Sequence, residues 1–130
     1  MAISKVHLAS AFTDRCRQAN NYRKGRVLVA GVAAHIHAPL GGQGLNLGLG
    51  DAMNLGWKLG MTVREEAQNG ETDLALLDTY EAERHPLATR LLAWTRAPVL
   101  ALEPDEHGQA LRTFFHDVMD TGDSIHLLLE

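Results

Sequence analysis

The residues best suited to chemistry lie between positions 26 and 58. A short apolar run, Arg26-Val27-Leu28-Val29-Ala30, ends at Gly31. A loop follows that contains Pro39 and the run Gly41-Gly42-Gln43-Gly44, and a helical pattern then begins at Leu45-Asn46. A strand, a glycine-rich turn and a helix start together form a site for an anion or a dipole. The first amides of a helix lack intrahelical acceptors, and the helix dipole adds partial positive charge at that end. Glycines remove the Cβ atoms that would hold a ligand away from the backbone. A phosphate-like, carboxylate-like or enolate-like group is therefore predicted to dock at residues 42–46. The spacing excludes a phosphate loop, because no Gly-Lys-Ser/Thr follows. It also departs from the usual dinucleotide fingerprint, because a long loop separates the glycines from the strand.

Other candidates are weaker. His35 and His37 lack a thiol partner and an HExxH spacing, so they read as loop residues supporting the turn and not as zinc ligands. Asp51, Asp78 and His85 have the right types for an acid–base set, but no nucleophile is placed by spacing. The single cysteine, Cys16, lies between Arg15 and Arg17, whose charges would favour its thiolate on close approach. An ordinary reduced thiol in a cytoplasmic protein is the expected reading, and the two arginines read as exposed charges. Glu81, Glu83, Arg84 and Arg90 are expected on a solvated helix face, and Trp57 and Trp94 in the core.

The elements that must position the turn follow from the rest of the chain. With 130 residues, one domain is expected. A composition 45% hydrophobic and 22% charged is that of an ordinary globular protein. A net charge of −4 and 5% aromatic content give no basic, aromatic surface for nucleic acid. No apolar run reaches membrane-spanning length, and residues 1–10 lack a secretory pattern. Residues 1–25 read as an N-terminal arm with a possible strand over 3–12. Residues 26–69 comprise a buried strand, the glycine-rich turn and a helix, and residues 70–130 hold C-terminal helices. In the first helix Leu45, Leu49, Met53, Trp57 and Met61 form an apolar stripe, broadened by Ala52, Leu55 and Leu59, and Asn69-Gly70 signals its end. Thr72-Asp73 begins the next helix, with Leu74, Leu77, Tyr80 and Arg84 on one face. Pro86 is expected to kink or break it at His85. A turn at Glu103-Pro104-Asp105 precedes a helix over residues 107–119, and the ending, 124–130, is apolar. The fold class is an α/β fragment, mainly helical, whose few strands suit a sheet supplied elsewhere.

The block Gly31-Val32-Ala33-Ala34-His35, Pro39-Leu40-Gly41-Gly42-Gln43-Gly44-Leu45-Asn46, Asp51-Ala52, Asn54-Leu55 and Trp57-Lys58-Leu59 closely resembles the second flavin-binding motif of FAD-dependent aromatic hydroxylases. These are single-component flavoprotein monooxygenases of the p-hydroxybenzoate and polyketide hydroxylase type. The resemblance extends upstream to Phe12-Thr13-Asp14-Arg15 and Tyr22-Arg23-Lys24-Gly25-Arg26-Val27, and downstream to residues 76–86. It implies a cytoplasmic enzyme in which NAD(P)H reduces FAD and O2 is used to hydroxylate a phenolic or polyketide aromatic, as in antibiotic biosynthesis. It also implies that Gly31, Pro39, Gly41, Gly42, Gln43, Gly44, Leu45 and Asn46 bind the cofactor. Pro39 and residues 42–44 would line the isoalloxazine, and the amides near Leu45 and Asn46 would face its N1–C2=O edge. No catalytic side chain is assigned.

Three departures qualify what the resemblance implies. Val32 stands where the family has an aspartate that accepts hydrogen bonds from the ribityl chain. No Gly-x-Gly-x-x-Gly strand-turn-helix opens these residues. Most of the family's substrate domain has no counterpart among them. A homodimer or a complementary polypeptide is therefore expected to complete the unit. The alternative is a flavin-free remnant, acting as a binding or assembly protein or as a cofactor-independent catalyst on a polyketide-like ligand.

Overall fold

The computed structural model describes residues 13–70 and 72–120, together with Lys5, Leu8 and Ala11. Apart from those three positions, the strand expected over 3–12 lies outside the described residues, as does the apolar ending at 124–130. Among the described residues, four two-residue strands precede three α-helices. They are β1 (Arg17–Gln18), β2 (Arg23–Lys24), β3 (Val27–Leu28), β4 (His35–Ile36), α1 (Gln43–Asn69), α2 (Ala75–Leu102) and α3 (Glu106–Asp120). Strands β1 and β4 pair antiparallel, with Arg17 opposite Ile36 and Gln18 opposite His35. Strands β2 and β3 form a second antiparallel pair, closed by a turn at Gly25 and Arg26. The mainly helical α/β fragment is thus present, with two separate short ladders among the described residues instead of one sheet.

The run over residues 26–30 is a hairpin arm and not a buried strand. The strand itself is Val27–Leu28, the Val29 amide extends the pairing by donating to the Tyr22 carbonyl at 2.9 Å, and Val27 is exposed. Its neighbours still reach the core, where Leu28, Val29 and Ala30 pack against Tyr22, Ala34, Leu47, Tyr80 and Ala88. Tyr22 is the centre of this cluster, with its ring 5.9 Å from Tyr80 and 5.1 Å from His85. Buried phenols need partners, and both have them. The amide of Gln18 donates to the Tyr22 hydroxyl at 2.9 Å, and the Tyr80 hydroxyl donates to the Val29 carbonyl at 3.0 Å.

Helix α1 ends as its sequence dictates. Gly70 adopts φ 72° and its N–H returns to the Glu66 carbonyl, a glycine-terminated cap. Asp73 opens α2 by accepting the Ala75 N–H at 2.8 Å. The break expected at His85 does not occur, since α2 continues through Pro86 and Pro98. Proline 86 removes the partner of the Ala82 carbonyl, but Ala82 and Pro86 border an open cleft where water can serve that carbonyl. On the opposite side, Gln18 and Thr89 both donate to the His85 carbonyl, and Ala88 packs in the core.

The apolar stripe on α1 faces outward. Met53 and Trp57 are 76% and 55% exposed, and Leu45 and Leu49 are exposed as well. The inward face holds Leu47, Asp51, Lys58 and Thr62, with Asp51 and Lys58 only 0% and 1% exposed. Trp94 on α2 is exposed too, so neither tryptophan is a core residue. The inward face of this helix is set by charge pairing with α2. Arg84 reaches Asp51 at 2.9 Å, and Lys58 lies 2.9 Å from Glu83.

Candidate functional site

The glycine-rich turn is held by one buried carboxylate. Gly31 takes φ 58°, a conformation costly for any residue with a Cβ, and its N–H donates to Asp51 Oδ2 at 3.0 Å. The same oxygen lies 2.6 Å from His35 Nε2, while Arg84 Nε donates to Oδ1 at 2.9 Å. Arg84 Nη2 also donates to the Leu47 carbonyl at 3.2 Å. Burial alone would raise the Asp51 pKa, but the hydrogen bonds from Arg84, His35 and the Gly31 amide hold it below the usual carboxylate range. Asp51 therefore ties the end of the hairpin arm to both long helices. Glycines permit the close fit: a Cβ on Gly48 would lie 3.5 Å from the Gly31 Cα, and one on Gly50 would collide with the Arg84 guanidinium.

Two consecutive left-handed residues, Gly41 and Gly42 at φ 76° and 64°, turn the chain into α1. Only glycine adopts this geometry twice in succession without penalty. Gly42 is the N-cap, and no side chain caps the helix. The dipole of a 27-residue helix consequently ends on a bare backbone turn. His37 supports the turn from one side. Its Nδ1 is 2.7 Å from the Ala38 carbonyl, and a Cβ on Gly44 would lie 3.3 Å from its Nε2.

Two clefts adjoin this end of α1. One, of about 410 Å3, is bordered by Gln43, Asn46, Leu47, Arg84, Arg90 and Trp94. The other, of about 340 Å3, is bordered by Leu40, Gly41, Gln43, Leu91, Trp94 and Pro98. A larger cleft, of about 550 Å3, is edged by Asn21, Arg23, Asp78, Glu81 and His85. Its polar groups already hold the hairpin: Arg23 pairs with Asp78, and Glu81 accepts the Tyr22 and Arg23 amides.

Residues Pro39, Gly41, Gly42, Gln43 and Gly44 thus form one continuous turn, running into the exposed Leu45 and Asn46. Gly31 is joined to them through Asp51 and Gly48. Val32, 81% exposed, offers no side-chain acceptor. Asp51, Asp78 and His85 are not brought together, since Asp51 binds His35 and Arg84, Asp78 pairs with Arg23, and His85 faces the Ala19 carbonyl. Glu81 and Arg84 are half-buried and hold specific partners, whereas Glu83 and Arg90 lie on the solvated face. Glu83 stays exposed while pairing with Lys58, and Arg90 lies exposed above the Trp94 ring. The Cys16 thiol is half-buried, 3.6 Å from the Leu92 carbonyl. No group of three potential metal ligands occurs among the described residues. None of their helices is long and apolar enough to cross a membrane.

Sequence reasoning missed the Asp51–His35–Arg84 triangle. Its signal was available: Leu47, Asp51, Lys58 and Thr62 fall on one helical face, an improbable set unless the charges meet partners.

The chain is similar in sequence and fold to known proteins. The FAD binding domain family matches residues 2–95. Rifampicin monooxygenase from Streptomyces venezuelae is 48% identical over 121 residues, which are 93% of this chain and 24% of that protein. The solved structure of anhydrotetracycline hydroxylase from Streptomyces rimosus superposes with a TM-score of 0.74 at 49% identity, over 88% of this chain and 22% of its own. A Diels–Alderase of pyrroindomycin biosynthesis gives a TM-score of 0.74 at 39% identity, over 92% of this chain and 25% of its own. The chain spans less than a quarter of the length of the curated relatives it matches, between 14% and 24%. It aligns with flavin-dependent aromatic hydroxylases along nearly all of its own length, and it belongs to the FAD binding domain family.

Proposed function

We propose that this chain forms the isoalloxazine side of an FAD site in a monooxygenase acting on a phenolic or polyketide aromatic. The uncapped start of α1 behind the Gly41–Gly42 turn carries this reading. Residues 42–46 present backbone without obstructing side chains, which fits the flat edge of a flavin. Gly31, Pro39, Gly41, Gly42, Gln43, Gly44, Leu45 and Asn46 would hold the cofactor, with the amides near Leu45 and Asn46 toward its N1–C2=O edge. The bound flavin, reduced by NAD(P)H, supplies the oxygen chemistry. This chain contributes positive potential from the helix start, stabilising negative charge at that edge. Its Asp51 network holds the turn in place and does no proton transfer of its own. The absence of an acceptor at Val32 weakens the grip on the ribityl chain. A single cysteine with no disulfide suits a cytoplasmic enzyme.

One observation favours a second reading. The Diels–Alderase shares this fold over 92% of the chain, so the elements by themselves do not dictate hydroxylation. With Val32 in place, a flavin-independent role on a polyketide-like ligand is the runner-up.

Purified chain titrated with FAD separates the two. Binding is expected to be weak, and Val32→Asp is expected to tighten it by about 10- to 100-fold, the effect of one charge-assisted hydrogen bond of about 1.5 to 3 kcal/mol. Absence of flavin binding by both proteins, alone and with a complementing polypeptide, would sink the FAD reading.

A further inference from the structure

The cleft of about 410 Å3 between the start of α1 and the middle of α2 differs in charge from the rest of the molecule. The chain is acidic, with a net charge of −4, yet two arginines and no carboxylate border this cleft. The two arginines are in different states. Arg84 is already engaged by Asp51 and the Leu47 carbonyl. Arg90 is exposed and forms no ion pair among the described residues. Its guanidinium is held 5.2 Å over the Trp94 ring, a contact that restrains a long side chain without using its N–H donors.

The remaining walls are apolar. Leu87, Leu91 and Trp94 follow one another along a single row of α2, and Leu47 of α1 lines the same cleft. Leu87 and Trp94 remain exposed there. Gly50 keeps the slot open, because its backbone lies directly against Arg84 and a Cβ would stand 2.5 Å from Nη2. Gln43 and Asn46 border the cleft with exposed amide side chains. Apolar walls, a few polar groups and one unpaired cation are the composition of a small-molecule pocket, and the volume falls within the usual range of about 300 to 1,000 Å3.

We propose that this cleft binds a planar aromatic carboxylate. The guanidinium of Arg90 matches a carboxylate through two parallel N–H···O bonds. The flat ring system lies against Trp94 and the leucine row, and the amides of Gln43 and Asn46 serve the oxygen lone pairs that Arg90 leaves. The absence of acids from the lining follows from the same chemistry, since an Asp or Glu there would pair with Arg90 or repel the ligand. Inorganic phosphate would leave the apolar walls uncovered, and a neutral hydrocarbon would leave Arg90 unused. The two halves of the lining therefore point to one ligand with both characters. The proposal does not rest on the flavin reading: Arg90, Trp94 and Leu87 lie outside the residues assigned to the cofactor, and only Gln43 and Asn46 are common to both.

The test titrates the full chain, without flavin, with 2-naphthoate and with the uncharged 2-naphthamide, following the tryptophan indole N–H signals by NMR. Trp57 lies outside the cleft and serves as the internal control. Naphthoate is expected to shift the Trp94 signal saturably and to bind about tenfold or more tighter than the amide. Arg90→Gln should weaken naphthoate by about 10- to 100-fold, the effect of one hydrogen-bonded charge, and leave naphthamide unchanged. Trp94→Leu, followed at the backbone amides of residues 87–94, should weaken both. Both side chains are exposed, so the circular dichroism of either variant should match the wild type. Absence of a saturable shift at Trp94 overturns the proposal, as does equal affinity for acid and amide. Naphthoate binding undiminished by Arg90→Gln overturns it too, and backbone shifts confined to residues 42–45 would then place the anion at the helix start instead.

Discussion

The two faces of α1 invert the usual rule for a surface helix. The inner face buries Asp51 and Lys58 beside Leu47, whereas the outer face exposes Leu49, Met53 and Trp57. An isolated globular helix places its apolar stripe inward, since burial is the dominant favourable term. Here the inner face is defined by charge pairing with α2: Asp51 with Arg84, and Lys58 with Glu83. Buried ion pairs add little net stability compared with well-packed apolar residues, but breaking one is costly. They act as registration marks, fixing how α1 crosses α2 and therefore where the glycine turn sits. The apolar face contributes little to this arrangement.

Loss of the register should be the largest effect. Asp51→Ala strands the Arg84 guanidinium and removes the acceptor of the Gly31 amide. A cost of about 3 to 5 kcal/mol is expected, seen as a large fall in the thermal midpoint. A small fall would mean that the triangle is decorative. Next comes Gly50→Ala. The new Cβ would occupy the Arg84 guanidinium position, and that group is fixed at its far end by Asp51 and Leu47. About 1 to 3 kcal/mol is expected, and it should largely vanish in an Arg84→Ala background. A double-mutant cycle measures this coupling, and simple additivity would contradict it.

A pH dependence follows from the same carboxylate. The Asp51 pKa is depressed in the fold, so its stabilisation is complete above the unfolded value of about 3.9. It is lost as pH falls through the lower folded value. Denaturant melts below pH 4 should show this loss in the wild type and a shallower slope in Asp51→Asn. The smallest effect belongs to the outer face. Met53→Gln is expected to change the stability of the free chain by less than about 0.5 kcal/mol. A larger loss would show that the stripe is packed in solution.

The contrast between faces also explains what was legible in the sequence. Residues 39–46 announced themselves, because left-handed backbone at Gly41 and Gly42 is written directly in residue type. Helix ends at Asn69 and Leu102 were equally readable, from Gly70 and from the Glu103-Pro104-Asp105 turn. The orientation of α1 was hidden, since hydropathy assigns Leu49, Met53 and Trp57 to a core and Asp51 and Lys58 to water. Only the partners on α2, Glu83 and Arg84, reverse that assignment, and which residues face each other is a tertiary fact. Pro86 misled for a related reason. Local chemistry argues for a break, and the packing of Tyr80 and Ala88 on either side keeps the helix whole.

Glu81 carries a last consequence. Its carboxylate accepts the Tyr22 and Arg23 amides at 2.8 and 3.2 Å, standing where a neighbouring strand's carbonyls would ordinarily be. Those two amides should be shielded from hydrogen–deuterium exchange by a side chain of a helix. Both amides share the one oxygen Oε2, so Glu81→Ala should quicken exchange at both together while the Val29 amide, bonded to the Tyr22 carbonyl, keeps its own rate.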